Sequence, residues 1–153
     1  MSRQLQRGAG VWVVALAWFV LAGCERRELT GPPVLRLGRD ECAECGMMIN
    51  EERSASALLI ERASVREHAL FDDLGCMIDY ERDRPPDVRI LDRFAHDHVS
   101  RAWFRTEHAV FLRTTPDKLP TPMGSGIAAF SDRAAAAAAQ STLGGRIVRY
   151  DEL

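Results

Sequence analysis

Eight consecutive residues, Cys42-Ala43-Glu44-Cys45-Gly46-Met47-Met48-Ile49, bring two thiols and two thioethers together. Soft sulfur donors of both kinds, placed side by side, favour monovalent copper over harder ions. A thioether needs no deprotonation to bind copper(I), and an oxidising compartment cannot close it into a disulfide. A mixed site of Cys45 and Met47 would therefore hold copper(I) and still leave it open to ligand exchange. Gly46 lies between them and tolerates backbone conformations that other residues avoid, so both side chains can turn toward one ion. Met48 reads differently, as core filler, a frequent use of a flexible thioether.

The remaining thiols keep other readings open. Of four cysteines, Cys24 is claimed by an export signal, which leaves Cys42, Cys45 and Cys76. An odd number in an exported chain argues against a complete disulfide framework. Either Cys42 and Cys45 are bonded and Cys76 is free, or some of the thiols bind metal. Cys-x-x-Cys also occurs in zinc sites and in thioredoxin-like oxidoreductases. The redox motif opens a helix after a strand, whereas here the pair follows a charged lead-in at the edge of the domain. Zinc takes four ligands, usually from a second paired motif, and the sequence shows none. Neither alternative gives Met47 a role.

Cys76-Met77 follows Phe71-Asp72-Asp73-Leu74-Gly75 near the expected start of a helix, where a thiolate is stabilised. Cys76 is thus an auxiliary ligand candidate and Met77 a core residue. His96 and His98 alternate about Asp97, a spacing that puts both on one face of a strand and would suit copper(II). The plainer reading makes them solvated loop residues. The acid pairs Asp72-Asp73 and Glu51-Glu52 read as helix-cap and surface groups rather than acid–base catalysts.

Residues 1–23 form a targeting segment. Arg3 and Arg7 supply a positive start, and Val11 to Ala22 is apolar but too short for a permanent membrane helix. The segment ends in Leu21-Ala22-Gly23-Cys24, which looks like a bacterial lipobox with Cys24 as the lipidated residue. Burial of acyl chains contributes about 0.8 kcal/mol per CH₂, so a multiply acylated cysteine would stay in the bilayer. The expected location is the periplasmic face of a bacterial membrane, and resemblance to known lipoproteins, with Glu25 after the cysteine, favours the outer membrane over the inner. The chain carries 20 Lys and Arg against 22 Asp and Glu. Two of those arginines leave with the signal, so no basic face dense enough for nucleic acid is left.

Positioning the sulfurs requires a small folded domain. Residues 24–41, charged and containing Thr30-Gly31-Pro32-Pro33, read as a lipid-anchored tether, of which Glu25 to Asp40 alone would reach roughly 50 Å fully extended. Residues 42–153 suffice for one domain with a real core. They hold a weak repeat, about 42–95 and 96–153. Strands over Ala55–Glu61 and Glu67–Phe71, a helix over Asp72–Arg82 and a strand over Val88–Phe94 make the first copy. Strands over Glu107–Thr114 and Gly126–Phe130, a helix over Asp132–Thr142 and a strand over Arg146–Tyr150 make the second. Phe71-Asp72-Asp73 and Phe130-Ser131-Asp132 open the two helices with good N-caps. The alanine run from Ala134 to Ala139 favours helix and permits close approach to a sheet. Pro85-Pro86 and Gly144-Gly145 end the helices. The expected class is α+β, built of two related β-β-α-β units.

Taken in order, Cys42-x-x-Cys45-Gly46-Met47, Phe71-Asp72-Asp73, Trp103 with Ala109, Pro122-Met123-Gly124, Ala129-Phe130 and the late Gly144-Gly145 resemble the NosL family. These are accessory lipoproteins of nitrous oxide reductase, and the likeness runs from the lipobox to Leu153. The resemblance implies a non-enzymatic copper(I) carrier that supplies the reductase's copper centres. It also implies paired ββαβ units, similar to part of the organomercurial lyases. Position by position, the family's cysteine and methionine fall on Cys45 and Met47, and its Met-Gly on Met123-Gly124. Met123 sits on a polar, glycine-rich loop where packing alone gives it little purpose. It is therefore the candidate ligand from the second unit.

Overall fold

Alternating apolar residues build the first sheet, and a tight turn sets its register. The computed structural model describes residues 28–153; the signal segment and Cys24, with its expected lipid, lie outside the described residues. β1 (Ser56–Arg62) and β2 (Val65–Phe71) pair antiparallel, with Ser56 opposite Phe71 and Arg62 opposite Val65. The two turn residues, Ala63 and Ser64, both have positive φ, 48° and 63°. Paired left-handed residues match the twist of a hairpin, here without the glycine or asparagine that usually signals one.

α1 (Leu74–Asp83) begins at Asp73, whose side chain accepts the Gly75 N–H at 2.7 Å and caps the helix. β3 (Arg89–His96) returns beside β1, and β4 (Trp103–Arg105) forms the edge, giving the order β2-β1-β3-β4. The second unit repeats the pattern. β5 (Val110–Arg113) and β6 (Ile127–Phe130) pair, α2 (Arg133–Leu143) follows, and β7 (Arg146–Val148) joins β5. Its order, β6-β5-β7, matches β2-β1-β3 in the first sheet. The α+β class and the doubled ββαβ unit are therefore present, and β4 is an addition that the sequence pattern missed.

One apolar cluster joins the two units. Leu58, Phe71 and Met77 of the first share it with Phe111, Ala129 and Val148 of the second. On the other face of the second sheet, Ala136 of α2 packs with Leu112 and Phe130. The segment read as a tether meets the fold from Glu28 onward, where Glu28 pairs with Arg66 of β2 at 2.9 Å. The Gly31 carbonyl bonds His68 Nε2 at 2.8 Å, Asp40 is buried in a pair with Arg36, and the Gly38 N–H donates to the Ile49 carbonyl at 2.8 Å.

Carboxylates also tie the halves. Asp97, 4% exposed, accepts the Val99 and Ser100 N–H groups and the Ser100 hydroxyl on one oxygen. Its other oxygen takes the Ser131 N–H at 2.7 Å and the Ser131 hydroxyl at 2.9 Å, at the start of the second unit's helix. Glu81 of α1 pairs bidentately with Arg93 and accepts the Tyr150 hydroxyl from the chain's last turn. His96 departs from expectation. It is buried at the end of β3, its ring 3.9 Å from that of Trp103; neither ring nitrogen has a hydrogen-bond partner, and Nδ1 lies 3.9 Å from a Glu52 carboxylate oxygen. His98 is half-buried against Phe130. The two share neither a strand face nor a solvated loop.

These groups set the response to acid. Burial lowers the pKa of His96 and is the main cause for His98, with Arg53 adding to it. Neutral imidazole is the folded form, so its contribution is complete above about pH 6.5 and is lost as pH falls toward the lower folded values. For Asp97, burial would raise the pKa, but the bonds from Ser100 and Ser131 outweigh it and hold the carboxyl well below its usual range. That contribution is complete above about pH 3.9 and disappears as pH falls through the depressed value. Denaturant unfolding across pH should therefore show stability falling in two stages. Replacing His96 and His98 by Gln removes the first stage. Asp97→Asn blunts the second and costs about 1.5–3 kcal/mol at neutral pH. A single decline, confined to pH below about 4, would contradict the histidine assignment.

Candidate metal centre

Residues 41–48 close on themselves as a short turn. The Cys42 N–H donates to the Met47 carbonyl at 2.8 Å, the Gly46 N–H to the Cys42 carbonyl at 2.9 Å, and Glu41 bridges Met48. Gly46 sits at φ +72°, a left-handed conformation that side chains resist. One further bond, Ala43 N–H to the Leu70 carbonyl at 2.7 Å, pins this turn to the end of β2. The pinning decides what Cys42 and Cys45 meet. Asp72 follows β2 directly, and Cys76 lies one turn later in α1.

The three sulfurs and an Asp72 carboxylate oxygen all lie within 4.8 Å of one another. Cys42, Asp72 and Cys76 are buried at 3%, 1% and 5% exposure, and Cys45 is half-buried at the mouth. The Cys45 thiol donates to both Asp72 oxygens, at 3.7 and 3.8 Å. All three cysteines are free, so the Cys42–Cys45 disulfide considered above is not formed. Burial pushes the Cys42 thiol up to about 11, against the pull of the backbone N–H groups of Cys45, Asp72 and Glu44. Cys76 is also raised, by burial first and then by the charges of Cys42, Asp72 and Cys45 around it. Without a metal ion, burial thus favours the neutral thiol form of both.

The thioethers lie outside this knot. Met47 is 45% exposed and Met48 50%, so Met48 is not the core residue the sequence suggested; Met77, by contrast, is fully buried. Met123 is 48% exposed, on the loop between β5 and β6. That loop is fastened to the start of α1 through Asp73. One Asp73 oxygen accepts the Thr121 hydroxyl at 2.7 Å and the Met123 N–H at 3.0 Å, while the other caps the helix. The Met123 backbone is thereby held against the residue next to Asp72. Asp72 itself is the residue that sequence reasoning missed, having been taken for a surface or cap group. An acid four residues ahead of a cysteine across a helix start was the available signal.

The family model described as NosL matches residues 34–153. The chain belongs to the NosL family. A relative described as the copper-binding lipoprotein NosL of Stutzerimonas stutzeri is 27% identical over 158 aligned residues, spanning 95% of this chain and 80% of the relative. The crystal structure described as the copper chaperone NosL from Shewanella denitrificans superposes with a TM-score of 0.61 at 20% identity. That match covers 80% of this chain and 97% of the other, and it shows a shared NosL fold.

The loop bearing Met123 packs so closely on α1 that only glycine fits opposite it. A Cβ at Gly75 would lie 2.8 Å from the Ser125 Cβ. Overpacking of this kind costs about 1–3 kcal/mol. Gly75→Ala should therefore leave the sheets intact but speed hydrogen exchange at the Met123 and Ser125 amides by about tenfold, since each 1.4 kcal/mol of easier opening is a factor of ten. Unchanged exchange would mean that the loop is not held by this contact.

Proposed function

We propose that this chain is a copper(I) chaperone, lipid-anchored through Cys24 on the periplasmic face of the membrane. In this reading it delivers copper for the maturation of nitrous oxide reductase. The observation that carries the copper reading is the convergence of Cys42, Cys45 and Cys76, from two separate segments, beside exposed Met47 and near the loop bearing Met123. Soft donors in this number suit copper(I). Membership of a family whose relatives are named for copper binding and copper chaperoning supports the same cargo. The Leu21-Ala22-Gly23-Cys24 signal and the relative's description as a lipoprotein support the anchor. Among the described residues, no helix is long and apolar enough to cross a membrane.

Cys45 is the donor best placed to give and take. It is the half-buried thiol of the three, so an arriving ion meets it first. Met47 and Met123 complete the outer coordination as neutral ligands, which an entering sulfur or imidazole displaces without stranding a charge. Cys42 and Cys76 stand behind as auxiliary donors. No turnover is involved: the ion is cargo, and release is ligand exchange. A thiol–disulfide oxidoreductase would need an activated thiolate. Cys42, raised to about 11 by burial, is the reverse of that.

The test is anaerobic copper(I) titration of the reduced full-length chain in detergent, against a chromophoric competitor. One tightly held ion is expected. Cys45→Ser should weaken it most, by about a hundredfold or more, since loss of a charged ligand exceeds the 10–100-fold typical of outer-shell changes. Met47→Leu or Met123→Leu should each cost less. Absence of copper(I) binding, or binding unchanged by Cys45→Ser, would overturn the reading. Transfer of the bound ion to copper-free nitrous oxide reductase, with transfer lost in the same variant, tests the recipient.

A further inference from the structure

The segment ahead of the first sheet runs beside β2, in the same direction, instead of hanging free. Glu28 pairs with Arg66 at 2.9 Å, the Gly31 carbonyl meets His68 Nε2 at 2.8 Å, and the Ala43 N–H reaches the Leu70 carbonyl at 2.7 Å. Arg66, His68 and Leu70 alternate along one face of the strand, and Pro33 is buried on the way. β2 is an edge of its sheet, and a strap of this kind keeps an edge from pairing with another chain. Followed back toward Cys24, the strap leaves the domain at the β1–β2 turn. Only three residues separate Cys24 from Glu28, so the two lie at most about 14 Å apart. The thiol cluster begins at the other end of β2, where Phe71 lies roughly 20 Å from Val65 along the strand.

We propose that the β1–β2 turn, with the α1–β3 turn beside it, is the face this domain lays against the phosphate headgroups of its own membrane. The strap holds that face down, and the thiol cluster and the Met123 loop stand at the opposite, aqueous end. The inference rests on the Cys24 anchor proposed above. The two turns adjoin, since Arg62 pairs with Asp87 at 3.5 Å. Val65 is 55% exposed there, an apolar side chain that gains from entering the headgroup layer. Arg84 is exposed beside it and pairs with no carboxylate among the described residues. Its guanidinium suits the oxygens of a lipid phosphate. Ala63 and Ser64, at the tip of the turn, are too small to keep the face off the surface. A partner exchanging metal then approaches from solvent, without competing with the bilayer for the same end of the domain.

The experiment places the processed, lipidated chain in bilayer discs of phosphatidylethanolamine and phosphatidylglycerol that carry a gadolinium-chelating lipid. Amide NMR signals are then compared with those in discs without gadolinium. Val65, Arg66 and Asp87 should lose their signals, while Cys45, Cys76 and Met123 keep theirs. A flexible Gly-Ser insert between Arg27 and Glu28 lengthens the leash without touching the folded segment, and it should even out the losses. Val65→Asp with Arg84→Glu, both on the exposed face, should restore signal at the turn and leave copper(I) binding unchanged. Even losses across the unaltered domain, or heavier losses at Cys45 and Met123, overturn the proposal. So does a pattern that neither the insert nor the double substitution alters. Mass spectrometry separates the two readings. A chain without acyl groups on Cys24 overturns the anchor and this inference together, whereas an acylated chain with even losses overturns the orientation alone.

Discussion

The thiol cluster and the loop bearing Met123 both depend on one buried carboxylate, the neighbour of Asp72. Asp73 is fully buried and uses both oxygens. One caps α1 and so fixes where Cys76 stands; the other receives Thr121 and Met123 and so fixes the loop of the second unit. A buried carboxylate is tolerable only when its oxygens are bonded, and here the bonds come from two units at once. Neither the helix start nor the loop can shift without leaving that charge unsatisfied. The same device recurs away from the site, where Asp97 holds Ser131 and Glu81 holds Tyr150. Asp73 and Glu81 of the first unit thus reach across to the second, Asp97 does the same from just past the end of β3, and the shared cluster around Phe71 and Phe111 fills the space between.

The duplication also shows why, among the described residues, all the cysteines lie in the first unit. The two caps, Asp73 and Asp132, superimpose the repeats, which places Cys76 opposite Ala135 and Met77 opposite Ala136. Met77 and Ala136 are both fully buried core residues of their helices. Asp72 corresponds to Ser131, and the pair has diverged in partner: Asp72 receives a thiol, Ser131 donates to Asp97. The same helix start, two residues of polar cap and then an apolar face, packs on its sheet in one copy and borders the thiol cluster in the other. What the second unit brings against the start of α1 is the loop bearing Met123, whose place depends on contact with the first.

The fold was largely legible because its signals are local. Strand alternation, the two aspartate caps and the glycine and proline breaks each act within a few residues, and the repeat made them mutually consistent. Local signals also found the 42–47 turn with its thiols. They could not find Asp72, because its place in the cluster depends on the bond from Ala43 to Leu70, between segments 27 residues apart. Met48 failed for the opposite reason. A methionine's flexibility suits it to cores in general, but the bridge from Glu41 to Met48 turns this one outward. His96 was misread because a polar residue beside Asp97 suggests a loop, while Trp103, on a strand too short to announce itself, covers it.

Burial of the thiols resolves a tension between holding metal and folding without it. A site of charged donors packed into a core would repel itself when empty and cost several kcal/mol of desolvation per ion. Cys42 and Cys76 avoid this by staying protonated, since burial raises both. In that form a cysteine packs as a small hydrophobe, and both belong to the main apolar cluster with Phe71 and Leu74. The empty domain is then held together by the same atoms that would bind an ion. An ion entering must displace those protons, which selects for metals whose affinity for thiolate is large. Hard cations, with nothing to gain from sulfur, cannot meet that cost. In the copper reading proposed above, selectivity comes from where the thiols are buried as much as from what they are.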